Sequence, residues 1–189
     1  MSNIIENTSF EKQDYSKIAL AKGEYDNCTF VNCIFSDSDL SNVNFTECEF
    51  QDCDLSNVNL KHTVLNDASF SNCKLLGLQF NHCSDFLFSL SFNECNLSLA
   101  SFYQVKAKGT KFSTCMLHQV DFTEADVTNS LFNNCDFKAA IFERTMLEKS
   151  DFRTSYNYMI DPEINKIKKA KFSMPEVLGL LRKYNIEVK

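Results

Sequence analysis

Residues 26–60 read DNCTFVNCIFSDSDLSNVNFTECEFQDCDLSNVNL. Every fifth residue from Phe30 onward is large and apolar: Phe30, Phe35, Leu40, Phe45, Phe50, Leu55 and Leu60. Two places before each stands a smaller residue, as at Cys28, Cys33, Ser38, Val43, Cys48 and Cys53. The residue immediately before is often Asp or Asn, as at Asp39, Asn44, Asp54 and Asn59. A period of five is neither the 3.6 of a helix nor the 2 of a strand, so the chain must bend in every repeat.

The frame extends in both directions. It runs unbroken from Phe10 to Phe80, slips by two residues within 81–92, and resumes from Phe92 to Phe152, with Ala107 its one weak member. At 44% hydrophobic content, chance would fill such a frame about once in ten billion trials. A second period lies over the first. Steps of 20, with the slip allowed, give Phe10, Phe30, Phe50, Phe70, Phe92, Phe112, Phe132 and Phe152, and the ladder continues to Phe172. Another column reads Cys33, Cys53, Cys73, Cys95, Cys115 and Cys135.

Small residue, Asp or Asn, then large apolar residue is the A(D/N)LXX pattern, and SDSDLSNVNF shows it plainly. Over residues 8–152 the chain resembles the pentapeptide-repeat family. The resemblance implies an all-β solenoid, a right-handed quadrilateral β-helix with four repeats, 20 residues, per coil. One coil cannot bury its inner residues alone, whereas stacked coils bury a continuous core. The eight steps from Phe10 to Phe172 then make a rod about 38 Å long at ~4.8 Å per stacked strand. The expected division is a repeat β-helix over 1–173, with the register slip at 81–92 forming a bulge or short protrusion on one face, and a C-terminal capping and dimerisation unit over 174–189.

That cap is read from Ser173-Met174-Pro175-Glu176, an S-x-x-E capping box with Pro in the first turn. A helix is expected over about 174–184 with Val177, Leu178 and Leu181 on one face, followed by a short alternating strand at Ile186, Glu187 and Val188. Leu180, Leu181, Ile186 and Val188 resemble the dimerising end of the Qnr-type quinolone-resistance branch. The resemblance implies a homodimer through Val177, Leu178, Leu181 and Ile186; a monomeric cap is the alternative.

Composition narrows the function. Four Gly and two Pro among 189 residues mean that the turns are made some other way. A net charge of −6 disfavours direct nucleic-acid binding but suits a basic partner surface. No run is long and apolar enough for a membrane span. Residues 1–14 lack the basic start and apolar centre of an export signal, and with nine cysteines a cytoplasmic location with reduced thiols is expected. All nine cysteines fall two places before a frame position, which assigns them to inward packing. His62 and His82 read as a solvated outward pair, and His118 as outward and isolated. No P-loop or nucleophile elbow occurs, so no enzyme activity, cofactor or metal is expected.

Charge along the chain is uneven. Residues 23–60 hold eight acids and no base, and residues 161–189 hold seven bases against four acids. Asp37, Asp39, Glu47 and Asp52 are taken as the acidic surface. The Qnr-type resemblance implies a DNA mimic that binds type II topoisomerase (DNA gyrase or topoisomerase IV) and protects it from quinolones. The alternative is a generic interaction or structural protein with an unknown partner.

Overall fold

The computed structural model describes residues 3–187. Four short faces make each coil, and equivalent faces of successive coils pair in parallel at a spacing of 20 residues. Face one is a sheet of Ile4–Glu6, Glu24–Asp26, Asn44–Thr46 and Val64–Asn66. Face two continues through seven strands, Ser9–Glu11, Thr29–Val31, Glu49–Gln51, Ala68–Ser71, Leu90–Asn93, Lys111–Ser113 and Leu131–Asn133. Faces three and four are held by single bridges such as Ile34↔Asp54 and Asp39↔Asn59. The expected parallel β-solenoid is what forms.

The phenylalanine ladder is the spine of the core. From Phe10 to Phe172 each ring stacks on the next at 4.6 to 5.4 Å, with interplanar angles of 8 to 22°. Phe30 to Phe152 are buried, while Phe10 and Phe172, at the ends, are half-buried. Rings on neighbouring faces meet edge to face, as Phe30 does with Phe45 at 5.9 Å, an arrangement favoured by ring quadrupoles.

The bends are made by a residue two places after each large apolar one. Asn27, Asn32, Asp37, Asn42, Glu47, Asp52 and Asn57 all have φ between 49 and 58°. Asn and Asp tolerate this left-handed conformation better than most side chains, which is how the chain turns with few glycines. Gly77 and Gly109 fill the same slot. The Asp or Asn before the large residue closes the turn: Asp39 Oδ1 accepts from Ser41 N at 3.0 Å, Asn59 from Lys61 N at 3.1 Å and Asp121 from Thr123 N at 2.8 Å.

The cysteines also have a place in the ladder. Cys53, Cys73 and Cys95 thiols donate to the carbonyls of Phe30, Phe50 and Phe70 in the preceding coil at 3.3 to 3.4 Å. Thr63, Thr145 and Ser150 do the same for Leu40, Phe122 and Val127. Cys, Ser and Thr are thus alternative donors in one slot, and burial pushes the Cys48 thiol up to about 12, away from the reactive thiolate.

The slip is confined to face one at the fifth coil. Ser84 N still bonds Thr63 O at 2.9 Å, Ser89 N bonds Leu65 O at 3.0 Å, and Leu90–Asn93 is already back in the face-two sheet. Residues 85–87 therefore bulge outward, and Phe88 packs back onto the core. Phe86 and Leu87 are 65% and 57% exposed, and Leu87 has φ 52°.

The C-terminal cap differs from the expected α-helix. Two 3-10 turns, Val177–Leu180 and Arg182–Tyr184, take its place, and Asn185 ends them at φ 49°. The Glu176 carboxylate accepts from Asn157 N at 3.2 Å instead of closing a capping box. Gly179 weakens a helix interior, and its packing against the Tyr158 carbonyl leaves no room for a side chain. Lys183 clamps the cap to Asp161 and Glu163 at 2.7 and 2.6 Å. Ile186 and Glu187 are in no strand, and Val188 lies outside the described residues.

Candidate interaction surface

The interior is filled by side chains, so chemistry is left to the outer surface. A cleft of about 320 Å³ beside the bulge is lined by Phe80, Asn81, Asp85, Phe88, Tyr103 and Lys106, among others. Among the described residues no group of His, Cys, Asp and Glu is placed to hold a metal ion. No helix of the described residues is long and apolar enough to cross a membrane. His118 is not isolated: its Nε2 lies 2.8 Å from Asp136 Oδ2. Burial would raise the Asp136 pKa, but hydrogen bonds from Asn157 and His118 outweigh it and hold the carboxyl below its ordinary range.

Asp37, Asp39, Glu47 and Asp52 all face outward, but on three different corners of the coil. Asp37 and Asp39 flank the corner between faces three and four, Asp52 turns the corner between two and three, and Glu47 turns that between one and two. Asp39 is also not a free charge. Lys22 Nζ lies 3.0 Å from its carboxylate, and hydrogen bonds from Ser41 and Lys22 lower its pKa to about 2.

The densest charge lies on the corner between faces one and two. Four coils present it as residues 4–9, 24–29, 44–49 and 64–69, which contain Glu6, Glu24, Asp26, Glu47, Glu49 and Asp67 and no base. Glu24 is half-buried and the other five are exposed. Sequence reading missed this row because it counted charge along the chain. Sorting residues by their place in the 20-residue coil would have found it.

The C-terminal residues expected to form a dimer contact divide in two. Leu178 and Ile186 are 43% and 55% exposed, while Val177 and Leu181 are half-buried. Met174, at 85% exposed, adds to the apolar surface of the cap.

Coils that stack a closed core and offer only their turns to solvent define a scaffold of the β-solenoid class. The family model for the pentapeptide repeat region matches residues 23–85 and 78–152, and the chain belongs to that family. Among solved structures it is similar to full-length QnrB1, a plasmid-mediated fluoroquinolone resistance protein, at 18% identity over 97% of this chain and 100% of that one, with a TM-score of 0.53. It is also similar to HetL, a pentapeptide repeat protein involved in heterocyst differentiation regulation from the cyanobacterium Nostoc sp. strain PCC 7120. There the identity is 15% over 89% of this chain and 84% of that one, with a TM-score of 0.51. At these identities the likeness shows a shared fold. No curated protein matches the chain.

Proposed function

We propose that this protein is a non-enzymatic scaffold that docks its acidic corner into the basic DNA-binding groove of a type II topoisomerase, DNA gyrase or topoisomerase IV, as a mimic of DNA. The observation that carries this reading is the row Glu6, Glu24, Asp26, Glu47, Glu49 and Asp67, six acids over four stacked coils with no intervening base. Coils rise by ~4.8 Å, the same order as the ~3.4 Å of helix axis per phosphate on one DNA strand, so a groove lined with Arg and Lys can receive either. The fold shared with QnrB1 supports the choice of partner. Because one fold serves many functions, and HetL has it too, the competing reading is an interaction scaffold for a different partner.

In the same reading the apolar cap is a two-fold contact. A second copy covers Leu178 and Ile186, with Val177 and Leu181 behind them. The test of function is a gyrase supercoiling assay with and without a quinolone. The protein inhibits supercoiling at low salt and shifts the quinolone dose response upward. No inhibition and no shift at any salt concentration would leave the generic scaffold.

A further inference from the structure

The bulge interrupts the backbone ladder as well as the register. On face one, the residue just before each inward side chain spends both its N–H and its C=O on the preceding coil. Asp126 N donates to Val105 O, and Asp126 O accepts from Ala107 N, each at 2.9 Å. Met146 and Lys166 repeat the arrangement one and two coils later. Lys106 holds the same position in the coil that follows the bulge, yet its N–H and C=O have no partner among the described residues. Val105 and Ala107 bond to Asp126 in the next coil. The backbone pair of Lys106 therefore points the other way, into the cleft beside the bulge.

Other groups in this cleft are unpaired too. Asn81 Oδ1 is buried without a hydrogen-bond partner, a costly state for an amide oxygen. The Asp85 carboxylate and the Lys106 ammonium both line the cleft and are exposed. Neither makes an ion pair with the other or with any other described residue. Opposite charges that share a site and stay apart suit a ligand carrying both. Phe88, half-buried against the core, and Tyr103, 39% exposed, make the walls aromatic.

We infer that this cleft binds a free amino acid with an aromatic side chain. Its carboxylate takes the two donors, the Lys106 N–H and ammonium. Its ammonium faces the acceptors, Asp85, the Lys106 carbonyl and Asn81 Oδ1. In an α-amino acid the two charged groups share one carbon, as the N–H and C=O of Lys106 do, so the pairs match in spacing. The ring lies against Phe88 and Tyr103, where offset or edge-to-face contact is favoured. A volume of about 320 Å³ is at the small end of the roughly 300–1,000 Å³ of ligand sites, the size of one amino acid. A strand of a partner protein does not fit, because Ser84 and Ser89 still bond the preceding coil and occupy its path. A nucleobase would use the Lys106 backbone and the rings but leave Asp85 and the Lys106 ammonium without a role.

The cleft shares no residue with the acidic row, and no topoisomerase enters the test. The full chain is titrated by calorimetry with L-phenylalanine and L-tyrosine. Phenylethylamine, phenylpropionate and L-alanine remove the carboxylate, the ammonium and the ring in turn, and adenine offers a ring with a donor and an acceptor but no charge. L-phenylalanine binds one per chain, and each trimmed probe binds about tenfold more weakly or worse. Asp85→Asn weakens L-phenylalanine by about tenfold and leaves phenylpropionate, which has no ammonium, unchanged. Cys83, half-buried in the same wall, reports location, since bound L-phenylalanine slows its reaction with a thiol reagent. No saturable binding of either amino acid at millimolar concentration would overturn the inference. So would trimmed probes or adenine binding as tightly, an unchanged response in Asp85→Asn, or a bound amino acid that leaves Cys83 equally reactive.

Discussion

Phe50 lies between Phe30 and Phe70, each 4.9 Å away ring to ring, and its loss would leave a cavity that rigid coils cannot collapse around. Phe50→Ala should cost about 3–5 kcal/mol, measured by urea unfolding. Position and conformation both matter on the outside. Asn57 is exposed, and outward residues as a rule tolerate Ala within about 0.5 kcal/mol, yet its φ is 56°. Asn57→Ala should therefore cost about 1 kcal/mol, and Asn57→Gly less, because Gly adopts positive φ without steric penalty. Asp39 gives a test in pH. Its folded pKa, about 2, is depressed, so its contribution is present above the unfolded value of about 3.9 and is lost as pH falls through the folded value. Asp39→Asn keeps the turn bond, as Asn59 does. It should be near neutral at about pH 7 and lose less stability than the parent between about pH 4 and pH 2, read from urea midpoints. The spacing of the large residues made the Phe ladder legible in sequence. The left-handed turns were not, because Asn, Asp, Glu and His share that slot without a common composition, and only a backbone angle reveals it.

At the scale of elements, the thiol column is a hydrogen-bonding device of the coil. Eight of nine cysteines are buried and Cys83 is half-buried. A thiol reagent applied to native protein should modify at most one cysteine quickly, and all nine after denaturation. Fast reaction of three or more native thiols would show that the coils open. The bulge carries its own strain. Leu87→Gly should stabilise the fold by about 0.5–1 kcal/mol, since it relieves a positive φ, while Phe88, packed on the core, should not tolerate the same change. The sequence announced the slip as a two-residue loss of register but not which face it would leave. That depends on face two resuming at Leu90, set by long-range pairing with Ala68. The cap was misjudged for a related reason. Ser173 and Glu176 form a good local helix start, but Glu176 finds its partner across the chain in Asn157, and Gly179 seats the segment against Tyr158.

Over the whole molecule, the acids of the N-terminal coils are divided among corners, and the proposed docking rests on those of one corner, Glu6, Glu24, Asp26, Glu47, Glu49 and Asp67. Neutralising Glu24, Asp26, Glu47 and Glu49 removes charge from the row. Neutralising Asp37, Asp39, Asp52 and Asp54 removes the same charge from other corners, where Lys22 and Lys74 already lie 3.0 and 3.7 Å from two of the carboxylates. Both variants have the same net charge, so a non-specific electrostatic effect would weaken them equally. The most direct measurement is the affinity of each for DNA gyrase at low salt, beside the parent, by surface binding or titration calorimetry. Four surface charges, Glu24 half-buried and the others exposed, at roughly 0.5 kcal/mol each predict a loss of about tenfold or more for the row variant, concentrated in the association rate, and less than about threefold for the other. Equal losses in the two variants, or no binding by the parent, would contradict the claim that this corner is the functional surface.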